Sequence, residues 1–180
     1  ALEKNQGDFK EVVFEGYGPH GIAYLVETAT DNNTRTVANV RSYFTKCGGS
    51  LGTSGSVSFM FDHKCVFRIK YQEGMDIDEL QLALCECDDD PEVFIEEQED
   101  KDENITKNVV IYGAYESYGA IQKYIEDNGY ELVSGGFERI PNVELKDVTP
   151  EQRETLDKLT GLLEDDDDVT NVYSTLKPEE

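Results

Sequence analysis

The sequence predicts an α+β protein made of two split β-α-β domains, one inserted into the other. Three observations carry this expectation. Short runs with period-2 apolar alternation take turns with helix-period runs along the 180 residues. Residues 64–140 hold two consecutive β-α-β patterns, which read as one β-α-β-β-α-β domain. One such pattern precedes this segment and another follows it, and each lacks a partner unless residues 10–63 pair with 141–180. Both domains are then expected to be ferredoxin-like sandwiches.

From the N-terminus, strands are expected at Val12–Phe14 and Ile22–Thr28, around a Gly18-Pro19-His20-Gly21 turn. Thr34–Cys47 places Val37, Val40, Phe44 and Cys47 on one helical face. Asn33 or Thr34 can cap that helix and Gly48-Gly49 can stop it. Val57–Phe61 alternates apolar with smaller residues and reads as a strand.

The insert restarts with a strand at Cys65–Ile69 and a helix from Asp76 to Cys87, where Asp76 and Glu79 stand in capping-box register. A strand at Val93–Glu97, an acidic loop at Glu99–Asn104 and a strand at Val109–Gly113 follow. Ser117–Asn128 reads as a helix closed by Gly129, and Tyr130–Arg139 as a strand interrupted by Gly135-Gly136. The tail adds a strand at Asn142–Leu145 and a helix opened by Thr149-Pro150-Glu151-Gln152. Leu156, Leu159 and Leu163 make its buried stripe, before a last strand at Thr170–Tyr173.

With 39 acidic against 16 basic side chains and a net charge of −23, the chain as a whole repels nucleic acid and anionic membrane. Any phosphate contact must be local. Ten Tyr, eight Phe and 38% hydrophobic residues are enough for packed cores. Nothing approaches the roughly 20 apolar residues of a membrane span, and the first residues lack a signal-peptide pattern, so a soluble, cytoplasmic protein is expected. Cys47, Cys65, Cys85 and Cys87 have no framework spacing and read as reduced core thiols; no metal or other cofactor is expected. The acidic runs Asp88–Asp90 and Glu164–Asp168 read as solvated loops or helix ends, because neither has the spacing of a calcium loop.

The charge pattern has one gap. From Asn32 to Phe61 there is no Asp or Glu, yet Arg35, Arg41 and Lys46 are present. Arg35 and Arg41 either meet a polyanion or pair with acids such as Asp31 and Glu27. The glycine-rich run Gly48–Gly55 lies between a helix and a strand, the reverse of a phosphate cradle, and has no Walker lysine. It is either a flexible connection or a loop whose amides and hydroxyls touch RNA. Gly18-Pro19-His20-Gly21 matches the G-x-x-G of nucleotide clamps, but it sits between strands, where a hairpin turn is the simpler reading. Neither His20 nor His63 stands in a nucleophile or metalloprotease motif, so no enzyme activity and no small-molecule substrate are expected.

The block Glu15–Lys64, EGYGPHGIAYLVETATDNNTRTVANVRSYFTKCGGSLGTSGSVSFMFDHK, and the ending EDDDDVTNVYSTL resemble the YebC/PmpR family. That family's mitochondrial relatives include the translational activator of cytochrome c oxidase. The resemblance implies a basic helical N-terminal domain followed by two α/β domains; that first domain is absent here, and residues 1–9 would be its trailing end. It also implies a regulator of gene expression without catalytic residues. The partner is then ribosomal RNA or the ribosome, where the family relieves stalls at proline-rich stretches, or DNA, as in the older description of transcriptional regulators. Residues matching the signature and suited to nucleic-acid contact are Asn32, Asn33, Arg35, Arg41, Lys46, Gly52, Thr53, Ser54 and Gly55. An acidic protein-interaction module, using Tyr112, Tyr115 and Tyr118, is the third alternative.

Overall fold

Strand β1 (Lys10–Tyr17) doubles back onto β2 (Ala23–Thr30) in an unbroken antiparallel register, Lys10 opposite Thr30 and Tyr17 opposite Ala23. The computed structural model describes residues 9–179, so all but Phe9 of the expected N-terminal remnant lies outside the described residues. Gly18–Gly21 is a hairpin turn, with His20 and Gly21 at φ 65° and 77°. It does not join two helices, which removes the nucleotide-clamp reading. Helix α1 (Asn33–Lys46) follows and stops at Gly48, whose φ of 84° suits glycine. A two-residue strand, β3 (Ser50–Leu51), then pairs antiparallel with Gly16 and Tyr17 of β1.

Among the described residues, those up to Asp62 form one compact unit with those from Pro141 onward; His63–Ile140 form the other. In the first, the sheet order is β3-β1-β2-β8, with β8 (Val169–Ser174) antiparallel to β2. β1 lies between β2 and β3, so β2-α1-β3 is a split β-α-β. Helix α4 (Pro150–Glu164) starts at a full Thr149/Gln152 capping box and buries Leu156, Leu159 and Leu163 completely. Those leucines pack with Ile22, Tyr24, Val26, Val40 and Phe44, each side chain gaining about 1.5–3 kcal/mol from burial. Tyr24 meets Phe44 edge-on at 5.8 Å, and its hydroxyl lies 2.9 Å from Thr160 Oγ1. A second small cluster, Ala23, Leu25, Val57 and Phe61, covers the other face of β2.

The insert runs β4 (Phe61–Lys70), α2 (Ile77–Leu84), β5 (Glu92–Glu99), β6 (Ile105–Ala114), α3 (Tyr118–Asp127) and β7 (Leu132–Pro141). Its sheet order is β5-β6-β4-β7, and β6 is antiparallel to both β4 and β5. Each β-α-β is split by a strand of the other, the ferredoxin-like pattern. Its core joins Cys65, Phe67 and Ile69 of β4 to Leu80 and Leu84 of α2, Val109 and Ile111 of β6, and Ile121 and Ile125 of α3.

Several expectations need correction. Of Val57–Phe61 only Phe61 is in a strand, as the first residue of the next one: Ser58–Met60 is a 3-10 turn, and the amides of Val57 and Ser58 donate to the Glu15 carboxylate instead of to a ladder. Asn142–Leu145 is not a strand either; Asn142 bonds back to Met60 and Phe59, and only a single parallel bridge joins Lys146 to Leu176. Gly135-Gly136 does not interrupt β7, which passes through both. Cys85 is exposed at the C-terminal cap of α2, and Cys87 half-buried, whereas Cys47 and Cys65 are core residues. Among the described residues, no helix is long and apolar enough to cross a membrane, and no cluster of three or more His, Cys, Asp or Glu could hold a metal.

Candidate nucleic-acid interface

The acid-free segment becomes α1, the β3 return and the loop beyond it. At its start the helix cap is Asn32, one residue before the expected Asn33 or Thr34, its Oδ1 accepting the Arg35 amide at 3.1 Å. That amide oxygen is therefore committed, while Asn33 stays exposed in the first turn.

Arg35 is held by acids. Its Nε and Nη2 donate to Asp168 Oδ2 at 3.3 and 3.0 Å, and Nη2 also reaches Asp31 Oδ1 at 3.3 Å. The Asp168 hydrogen bonds raise the guanidinium's already high pKa. Asp168 is only 4% exposed and also takes the Thr36 hydroxyl at 2.9 Å. Beside it, Tyr43 donates to Asp166 Oδ2 at 2.8 Å; burial, then this bond, pushes the phenol up to about 12. The run Glu164–Asp168 is thus partly structural, not simply a solvated helix end.

Arg41 and Lys46 are exposed, and their side chains have no ion pair or hydrogen bond among the described residues. Arg35 and Lys46 stand at opposite ends of α1, about 16 Å apart along its axis at 1.5 Å per residue. The candidate residues therefore fall into two groups: Asn32, Asn33 and Arg35 at the start of the helix, Lys46 and the glycine-rich loop beyond its end, with Arg41 between.

The loop is anchored. Glu15, 4% exposed, accepts the amides of Gly55 at 2.7 Å, Val57 at 2.9 Å and Ser58 at 2.5 Å. Its backbone carbonyl accepts Gly52 N–H at 2.8 Å. Burial by itself would raise the carboxyl pKa, but the three amide donors outweigh it and hold Glu15 below its ordinary value. A side chain at Gly52 would press on Ser56 Oγ at 2.8 Å, and Gly55 has φ 91°. Thr53 and Ser54 are left exposed at the tip. The loop is thus tied to Glu15 on both sides of this hydroxyl-bearing tip.

Glu15 and Asp168 carry this arrangement and were not legible as site residues. The only hint for Glu15 is an acid inside an apolar strand, one residue before a glycine. Asp168 hints at its role only by adjoining Val169 at the start of a strand.

The family model described as the TACO1/YebC second and third domain matches residues 9–176. A probable transcriptional regulatory protein of Bacteroides thetaiotaomicron is 56% identical over 180 residues, 100% of this chain and 70% of that one. One from Parabacteroides distasonis is 54% identical with the same coverage. Among solved structures, the conserved hypothetical protein Aq1575 from Aquifex aeolicus aligns with a TM-score of 0.69 and 30% identity, over 100% of this chain and 70% of its own. Two antiparallel four-stranded sheets, the signature from Glu15 to Lys64 and a match over nearly every residue lead to one conclusion: the chain belongs to the TACO1/YebC family.

Proposed function

We propose that this chain is a non-enzymatic regulator of gene expression that docks on folded RNA of the ribosome and relieves stalls at proline-rich stretches. The docking surface is the outer side of α1 at Arg41 and Lys46 with the Gly52–Gly55 loop. The observation that carries the reading is the pair of cations, unneutralised among the described residues, on an acid-free segment of a chain with net charge −23. A loop already tied to Glu15 also loses little conformational freedom on binding, which favours recognition of a shaped surface.

The names of the relatives favour a second reading, transcriptional regulation, which would act on DNA. Groove reading calls for a basic element with several phosphate contacts, and α1 offers two unpaired cations. That supports RNA docking over duplex binding.

Arg41→Glu with Lys46→Glu tests the choice. Co-sedimentation of the chain with ribosomes is expected to be lost in the double variant at unchanged thermal midpoint. Retained co-sedimentation rejects the surface, and preference for one duplex sequence over random DNA transfers the function to the promoter. Ribosome profiling with and without the intact gene tests the finer step, through pauses at proline codons.

A further inference from the structure

The insert carries a second feature that RNA docking does not use. His63 at the start of β4, Tyr115 just before α3, Tyr118 in its first turn and Phe137 on β7 form a continuous step of rings. Tyr115 stacks on His63 at 4.2 Å and 25°, and lies 5.0 Å from Phe137. Phe137 is 4.8 Å from Tyr118, itself 4.8 Å from the fully buried Phe67. Gly135 makes this packing possible, since a Cβ there would sit 2.9 Å from the Phe67 ring. The inner end of the step belongs to the core, but the outer rings do not: Tyr115 is 46% exposed and Phe137 43%.

We propose that this ring step is a docking site for an arginine-bearing, positively charged segment of a partner protein. Exposed ring faces attract either nucleobases or cations, and charge decides between them. His63–Ile140 carries 7 basic and 20 acidic side chains, a net of −13, which repels a phosphate-linked base and draws in a cation. Among cations, the planar and weakly hydrated guanidinium stacks on rings best. Arg139, next but one to Phe137, is engaged by contacts of its own. The inference is independent of the α1 surface.

The test uses the whole chain with three fluorescent probes: an arginine–glycine repeat peptide, its lysine–glycine counterpart and a single-stranded RNA oligonucleotide. The arginine peptide is expected to bind more tightly than the lysine peptide. Tyr115→Leu with Phe137→Leu keeps apolar bulk but removes the rings, and is expected to weaken the arginine peptide about tenfold, two to fivefold per ring, while leaving the lysine peptide nearly unchanged. Equal binding by the leucine pair would reduce the attraction to bulk charge and overturn the proposal. So would RNA binding that is tighter than peptide binding and lost in the same variant. If the pair fails to fold, Tyr115→Leu alone carries the test, with about a threefold loss expected.

Discussion

Asp168 receives Arg35 Nε and Nη2 from 133 positions earlier in the chain, together with the Thr36 hydroxyl. This buried carboxylate ties the first turn of α1 to the approach of β8. Asp168→Ala is expected to lower unfolding free energy by about 2 kcal/mol, within the range for stranding hydrogen-bonding groups. The Asp31–Arg35 pair, about half exposed on both sides, adds little, so Asp31→Ala should be nearly neutral. Urea denaturation checks both. An unmoved midpoint in Asp168→Ala would reject the tie.

The amide cradle around Glu15 predicts a pH signature. Because the folded pKa lies below the ordinary 4.5, the stabilisation is complete above that value and is lost as pH falls through the folded pKa. Glu15→Gln should be less stable at neutral pH by about 1–3 kcal/mol. The gap between wild type and variant should shrink on acidification below 4.5. Relief of repulsion in a chain of net charge −23 acts on both proteins alike, so the difference is the quantity to measure. A gap independent of pH would mean that the ionised carboxylate is not what the amides hold.

Gly49 sits where α1 turns into β3, and a Cβ there would come within 2.3 Å of the Tyr17 carbonyl oxygen. Gly49→Ala should therefore push β3 off β1 and cost about 1–3 kcal/mol. Amide exchange offers the readout: Gly52 N–H, bonded to the Glu15 carbonyl, should lose protection before the β1–β2 hairpin does.

At α4, Thr149 Oγ1 accepts the Gln152 amide at 3.2 Å and Gln152 Oε1 accepts the Thr149 amide at 3.1 Å. Thr149→Ala should cost about 1 kcal/mol, seen as a lower thermal midpoint. Thr149→Ser should restore most of it. Equal midpoints for wild type and Thr149→Ala would remove the cap from the list of stabilising contacts.

Elements with a local cause were readable from the sequence. The cap at Thr149, the stripe Leu156-Leu159-Leu163 and the turn at Gly18–Gly21 all depend on neighbours a few positions away, and each appears as expected. What escaped depends on distant partners. Val57–Phe61 has a strand's alternation but yields its amides to Glu15, some forty positions earlier. Asp31, four positions before Arg35, is a local hint that this arginine is paired, but its buried partner Asp168 comes from far along the chain, and Arg41 has no acid partner among the described residues.

The first unit's hydrophobic interior draws Phe14, Tyr24 and Phe44 from the front of the chain and Leu156, Leu159 and Leu163 from near its end. During synthesis the β1–β2 hairpin and α1 must wait, apolar side uncovered, until α4 has left the exit tunnel, whereas the insert can complete itself earlier. A nascent chain halted before Thr149 would lack all three leucines and leave the Phe14, Tyr24 and Phe44 side of this interior uncovered, an aggregation-prone surface.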